Sequence, residues 1–382
     1  MTEAVIVAGA RTPIGRAHKG SLADVDAFEL ARIAVGEAIA RSGISTADID
    51  DLVVAESLQG GGVIARNIAL QLGLSHVPGL ADNRHCAAGL SAVQIAAGTI
   101  RAGMDRVVVA GGTESLSSSP RSLKSSPPSA HDYKPWMSPS HPEQPDAPQW
   151  DMSITVGENT ARIAGLTRDS VDEWAYHSHM RASSSVENGL FEEEIVPVGS
   201  FARDEHPRAD TTLERLASLP ALHPELENAT VTAGNAAGLN DGAASVVLVA
   251  DDYASANGIT PLARVISWAS VGGDPARTGL MPIIAIPKAL DRAGMKVGDV
   301  DLFEINEAFC SVAVATSRQL GLDHDKVNVN GSGCGLGHPI ACTGTRMVVT
   351  MLNELRRRRQ SVGCVSMCAG GGMGSALVLE LL

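Results

Sequence analysis

Two thiols and one imidazole sit in small-residue surroundings in this chain, and each is of a type that makes bonds or moves protons. Cys86 lies in NRHCAAGLSAVQIAAGTI (Asn83–Ile100), a small-residue turn leading into a long, nearly all-apolar helix. Free N–H groups and the positive dipole end of a helix stabilise a thiolate. A cysteine there is expected to fall from about 8.5 to a pKa near or below 7 and to act as a nucleophile. The competing reading is a small core filler, because free cysteine is among the most buried residue types. His338, in LGHPI, is flanked by small residues that let backbone and substrate approach, and imidazole exchanges protons near neutral pH. Cys368, in SMCAGGGMG, follows a β-like run, and glycines fill four of the next six positions and leave their amides accessible. Asn306 and Glu307, in NEAF, form a polar pair at a strand-to-helix junction. Each has a plainer reading: a turn histidine, a strand-end thiol, an N-cap. Their joint occurrence in this order with Cys86 favours chemistry.

The elements that must position these groups occur twice. In the first half Ile49–Ser57 leads through a helical Ala65–Leu72 and LGL to NRHCAAGLSA, then to RVVVAGGTES (Arg106–Ser115). In the second, VDLFEINEAF (Val300–Phe309) leads through LGL (Leu320–Leu322) to NVNGSGCGLGHPIACTGTRM (Asn328–Met347), then to CVSMCAGGGMGSA (Cys364–Ala376). Strands alternating with helices predict layered α/β domains with internal mixed sheets, and a repeat this long predicts duplicated domains. The helices Gly89–Ile100 and Thr343–Arg357 are expected to be buried and amphipathic respectively, with their N-termini at a shared cleft. Between the halves, Leu116–Trp150 is rich in serine and proline and reads as loop. Its embedded aromatics and the helical Val156–Asn188 that follows favour an ordered lid over a linker.

With 382 residues the chain fits two or three domains. Its 30 basic and 43 acidic residues, a formal charge of -13, argue against a nucleic-acid or membrane-surface partner. A small anionic ligand stays compatible, since helix N-termini bind one locally. Six cysteines without the spacing of a secreted scaffold predict free thiols in a reducing compartment. Met1–Pro13 reads as strand and turn rather than a leader, no apolar run reaches bilayer length, and Val378–Leu382 carries no peroxisomal address, so the expected location is cytoplasmic.

Five ordered motifs resemble those of the thiolase family, acyl-CoA acyltransferases that make or break carbon–carbon bonds beside a thioester. They are NRHCAAG around Cys86, TAGNAAGLNDGAA (Thr232–Ala244), NEAF (Asn306–Phe309), GHP (Gly337–Pro339) and CAGGGMG (Cys368–Gly374). The resemblance runs end to end. It implies an α/β fold of two similar α/β/α/β/α layered domains, 1–117 plus 241–261 and 262–382, with a loop domain, 118–240, inserted in the first. It implies CoA-dependent cleavage of a 3-ketoacyl-CoA, or the reverse Claisen condensation, through an acyl group on Cys86. His338 would be the base, Cys368 the acid–base group for carbon, and Asn306 with His338 one oxyanion hole. The N–H groups of Cys86 and Gly370 would form the other. Met152, Asn235, Ala237, Gly238 and Phe309 would contact acyl-CoA. No permanently bound cofactor and no metal is implied, CoA being a substrate, and a homodimer or homotetramer is expected.

Some positions depart from the family pattern. Ala237 replaces the usual serine beside pantetheine, Leu219–Ala221 offer no basic residue for the nucleotide end of CoA, and RTGLMP (Arg277–Pro282) replaces a glycine–proline pair at the pocket floor. Met152 stands where short-chain members carry a histidine, which favours a longer or bulkier acyl group. His177 and His179, two apart on a helix, read as surface polar residues rather than a metal site. AGGGMG lacks the helix and the acidic residue of a dinucleotide loop, and RRRR (Arg356–Arg359) reads as a solvated helix end. A decarboxylating condensing enzyme of the same broad fold and a degraded acyl-CoA-binding scaffold are the alternatives.

Overall fold

Valine- and alanine-rich runs become fully buried strands, because helices cover both faces of the sheet they form. A computed structural model of the chain describes residues 2–59, 61–125 and 132–382. The first half contains β1 (Ala4–Arg11), β2 (Gly15–Arg16), α1 (Ala27–Ser42), β3 (Asp51–Ala55), α2 (Ile64–Gln71), β4 (Leu80–Asp82), α3 (Ala88–Arg101) and β5 (Val107–Ser115). An excursion follows, with β6 (Ser122–Ser125), β7 (Tyr133–Trp136), α4 (Asn159–Ile163), α5 (Arg168–Glu187) and α6 (Leu213–Ala217). The chain returns through β8 (Asn240–Ala250) and α7 (Asp251–Ala256). The second half contains β9 (Ala263–Gly272), α8 (Pro282–Ala293), β10 (Leu302–Ile305), α9 (Cys310–Leu320), α10 (Gly333–Leu336), α11 (Thr343–Arg358), β11 (Val362–Ala369) and β12 (Met373–Leu381).

The strands run β10-β11-β12-β9-β1-β8-β5-β3-β4 in one mixed sheet, with β2 paired to β8. Each half repeats one pattern: a parallel pair (β3 with β5, β10 with β11) followed by antiparallel neighbours (β8 and β1, β12 and β9). Even the β3–β4 pairing has a counterpart, a parallel bridge from Phe303 to Val327. The halves join edge to edge where Val5 and Ile6 of β1 meet Arg264 and Ala263 of β9. The duplication expected from sequence is thus present in the pairing itself.

The two central helices approach closely at their N-termini. A Cβ on Gly89 of α3 would overlap the Ala341 carbonyl oxygen, and one on Gly344 of α11 would overlap the Leu90 backbone nitrogen. Glycine at both positions lets the helix starts touch, which brings the Cys86 turn and the GHP loop to one place. Helix α3 is buried along most of its length, as expected, with Leu90, Val93 and Ile100 inaccessible. Each such side chain contributes roughly 1.5–3 kcal/mol of burial.

Other expectations need correction. Helix α11 is not half-solvated: its buried residues run from Thr343 to Leu355 and include Arg346 and Glu354. Covered on both sides, it pairs most of its polar groups internally, although Arg346 Nε and Nη2 have no partner among the described residues. Arg346 pairs with Glu304, Thr345 Oγ1 donates to Gly89 O at 2.9 Å, and Thr350 Oγ1 donates to Glu194 at 3.0 Å. The stretch 156–188 is not one helix but a π turn (Ser153–Glu158), α4 and α5, broken at Gly165 and restarted by the Thr167 cap. Part of Leu116–Trp150 forms the β6–β7 hairpin rather than loop; residues 126–131 of that segment lie outside the described residues. Buried Arg11 ties the excursion to β1 by bonding Glu194 at 2.6 Å and Asp204 twice at 2.8 Å.

Candidate active site

The turn bearing Cys86 is shaped by its own side chains. Asn83 Oδ1 accepts from His85 N at 2.9 Å, His85 takes a left-handed conformation (φ 47), and Ala87 N donates to Arg84 O at 3.1 Å. Histidine tolerates that conformation better than most residues, and an Asx bond pays part of its cost. Arg84 then bonds Ser91 Oγ at 2.7 Å and Ser270 Oγ at 2.8 Å, pinning the turn to α3 and to the second half. Cys86 emerges half-buried into a cavity of about 300 Å³ that Gly370, His338 and Cys368 also line.

Burial pushes the Cys86 thiol up to about 11, against the opposing effect of hydrogen bonds from the Gly370 and Cys86 amides. This corrects the sequence expectation of a thiol at or below 7. The amide contributions offset only part of the cost of losing water around the sulfur. Cys368, at the end of β11, is almost inaccessible, and burial followed by the nearby Cys86 raises its thiol far above the ordinary value.

His338 follows Gly337, whose φ of 109 and tight surroundings admit no side chain: a Cβ would sit 2.8 Å from Ile14 and 2.9 Å from Asn240. The His338 N–H donates to Asn240 Oδ1 at 3.0 Å, and the ring lies 2.6 Å from Thr343 Oγ1 through Nδ1 and 3.3 Å from Asn306 Nδ2 through Nε2. Burial, and then the charge of Arg346, push its pKa down to about 3, so the ring is neutral at physiological pH.

Asn306 and Glu307 do not cap α9, whose N-cap is Phe309 without a side-chain bond. Asn306 is fully buried, and its Oδ1 has no partner among the described residues. Glu307 is the anchor of the second half. It accepts from Trp174 Nε1 at 2.8 Å, Ser178 Oγ at 2.6 Å, Asn328 Nδ2 at 2.7 Å and Cys334 N at 3.2 Å, joining α5 to the loop that carries His338.

Ala237, Gly238, Phe309 and Met152 line the cavity as expected. Ala237 N donates to Ala308 O at 3.0 Å and Ala236 bridges Phe309, so both walls are one unit. Met152 packs with Val156, Phe309 and Cys368. Asn235 does not reach the cavity. It is inaccessible, donates to Asp172 at 2.7 Å and Thr230 O at 2.8 Å, and accepts from Thr232 N at 2.8 Å, holding its own loop. His179 is also buried rather than on the surface, with Nε2 3.9 Å from Cys334 Sγ.

Sequence reasoning passed over Glu114, Asn240 and Thr343. Glu114 accepts from Leu58 N at 3.1 Å, Gln59 Nε2 at 2.9 Å and Ala341 N at 3.2 Å, linking a cavity wall to the GHP loop. The signal for Asn240 was its place inside the quoted GLNDG motif. For Thr343 it was the hydroxyl five residues after the histidine, where a chain turning into a helix folds back.

Family models of the thiolase N-terminal domain and the thiolase C-terminal domain match residues 4–252 and 259–381. The chain belongs to the thiolase family. It is 40% identical to a 3-ketoacyl-CoA thiolase of Bacillus subtilis (strain 168) and 40% identical to an acetyl-CoA acetyltransferase of Escherichia coli (strain K12), with all of each chain covered. Among solved structures it is similar to human mitochondrial 3-ketoacyl-CoA thiolase in complex with CoA. That likeness has a TM-score of 0.91 at 32% identity and covers 100% of this chain and 98% of that one.

Proposed function

We propose that this thiolase cleaves a 3-ketoacyl-CoA with CoA, or runs the condensation in reverse, through an acyl group carried on Cys86. The observation that carries this reading is that Cys86, His338, Cys368 and Gly370, from both halves of the chain, line one cavity. Attack of the sulfur on the ketone carbon passes the thiol proton to His338 Nε2. In this reading the neutral imidazole takes the proton as the sulfur attacks. The carbon–carbon bond then breaks, and its electron pair becomes the enolate of acetyl-CoA. Asn306, which does not itself line the cavity but lies behind His338, acts through a water, and with protonated His338 stabilises that enolate. Cys368 gives its proton to the carbon. Incoming CoA returns a proton to Cys368, its sulfur attacks the acyl carbon, and the oxyanion rests on the amides of Cys86 and Gly370 before Cys86 departs and recovers its proton from His338.

Met152, Ala237, Gly238 and Phe309 act as the substrate wall in this reading, and Asn235 supports it from behind. The apolar Met152 beside Cys368 supports acceptance of acyl groups larger than acetyl. CoA is a substrate, and the three-part division at 118–240, a homo-oligomeric state, a cytoplasmic site and a place in fatty acid metabolism belong to the same proposal. Thiolysis of acetoacetyl-CoA and longer 3-ketoacyl-CoA esters tests it. Cys86→Ser is expected to abolish turnover and Cys368→Ala to reduce it severely. Turnover by Cys368→Ala near the parent rate, with decarboxylation of a malonyl thioester, would instead favour a decarboxylating condensing enzyme. A parent protein that binds CoA esters without turnover would favour the scaffold reading.

A further inference from the structure

We infer that Thr343 is a positioning residue that sets which ring nitrogen of His338 carries the proton. Thr343 Oγ1 lies 2.8 Å from Pro339 O and 2.6 Å from His338 Nδ1. A hydroxyl has one proton to give, and a carbonyl oxygen can only accept. With that proton on Pro339 O, Oγ1 meets Nδ1 only as an acceptor, so Nδ1 bears the hydrogen and Nε2 keeps its lone pair. The other face of the ring is compatible with this: as placed, Asn306 sets its Nδ2 donor 3.3 Å from Nε2, its Oδ1 having no partner among the described residues. The Thr343 contact thus selects the tautomer whose Nε2 lone pair is free for the reacting side.

The oxygen has little freedom to move, and it shares Pro339 O with the N–H groups of Cys342 and Thr343. Thr343 is inaccessible and opens α11, and its own N–H also bonds Pro339 O at 3.0 Å. The next residue, Gly344, is held against Leu90 of α3. Gly337 and Asn240 fix the His338 backbone, while Thr343 fixes the state of its ring. The opposite tautomer would place a hydrogen on Nε2 and remove the acceptor for the Cys86 proton. This inference rests on His338 being the base of the proposed reaction.

The test is ¹⁵N NMR of the full-length, histidine-labelled protein and its Thr343→Val and Thr343→Ser variants, with His338→Gln identifying the resonance by its loss. The parent and Thr343→Ser are expected to show a protonated Nδ1 and a bare Nε2. Thr343→Val, similar in shape without the hydroxyl, is expected to gain the Nε2–H form. Its kcat for thiolysis should fall roughly 10- to 100-fold, less than the roughly 100- to 10,000-fold that a whole general base contributes, with KM nearly unchanged, and serine should restore it. A parent enzyme carrying the proton on Nε2, or a Thr343→Val variant with an unchanged tautomer, would overturn the inference. Undiminished thiolysis by His338→Gln would overturn the role of His338 as base and leave the tautomer assignment standing.

Discussion

Replacing Glu307 by glutamine keeps the shape of the side chain and changes only what its terminal atoms can do. Four donors converge on the carboxylate. Trp174 Nε1 and Asn328 Nδ2 meet Oε1, and Ser178 Oγ and Cys334 N meet Oε2. Glutamine has one acceptor oxygen and one NH₂ group. Whichever way it is placed, two buried donors face a donor. A buried polar group left without its partner costs about 1–3 kcal/mol, so Glu307→Gln is expected to lose roughly 2–6 kcal/mol of stability. The indole and the Cys334 amide cannot turn away, whereas the Ser178 hydroxyl can rotate, so the placement with the NH₂ toward Ser178 and Cys334 leaves one unpaired donor and puts the value near the lower end of that range, about 2–3 kcal/mol. Since Cys334 lies four residues before His338, activity should fall even where the variant is folded. Denaturant unfolding gives the stability difference, and thiolysis at low temperature gives the residual rate. A loss under 1 kcal/mol with full activity would show that Glu307 does not organise the His338 loop.

Two further outcomes follow from the packing around Cys86. Gly344→Ala drives a methyl group into Leu90 where α3 and α11 meet, and is expected to cost about 1–3 kcal/mol or more and to lower kcat; unchanged stability and kcat would refute the tight crossing. Alkylation of Cys86 by iodoacetamide, followed on its own peptide, should keep accelerating between pH 7 and 9, because burial holds the thiol up near 11 and rising pH supplies the reactive thiolate. Levelling of the rate from pH 7 onward would show a depressed thiol instead.

The repeat, the helix starts and the motif residues were legible because each rests on local pattern. The expected Ala65–Leu72 is Ile64–Gln71, Gly89–Ile100 is Ala88–Arg101, and Thr343–Arg357 is Thr343–Arg358. What escaped depends on partners far along the chain. Arg346 gives α11 the look of a solvated helix until Glu304, 42 positions away, is seen beside it. His179 reads as a surface residue because the loop containing Cys334 that covers it lies 155 positions on. Asn235 and Asn306 are the same residue type, both buried behind the cavity. Asn235 bonds its own loop, whereas Asn306 keeps an unused oxygen, a difference made by tertiary contacts. The pKa of Cys86 escaped for a related reason: the helix start is visible in sequence, but the depth of burial that outweighs it is not.

The central claim is that an acyl group is carried on one particular sulfur. Brief incubation of the parent enzyme with a 3-ketoacyl-CoA, acid quenching and peptide mass analysis address it directly. The account predicts a mass increase equal to the acyl group on the peptide containing Cys86, removed by added CoA and absent in Cys86→Ser. Turnover with Cys86 unmodified throughout, or an acyl group found on Cys368 with Cys86 unmodified, would contradict it.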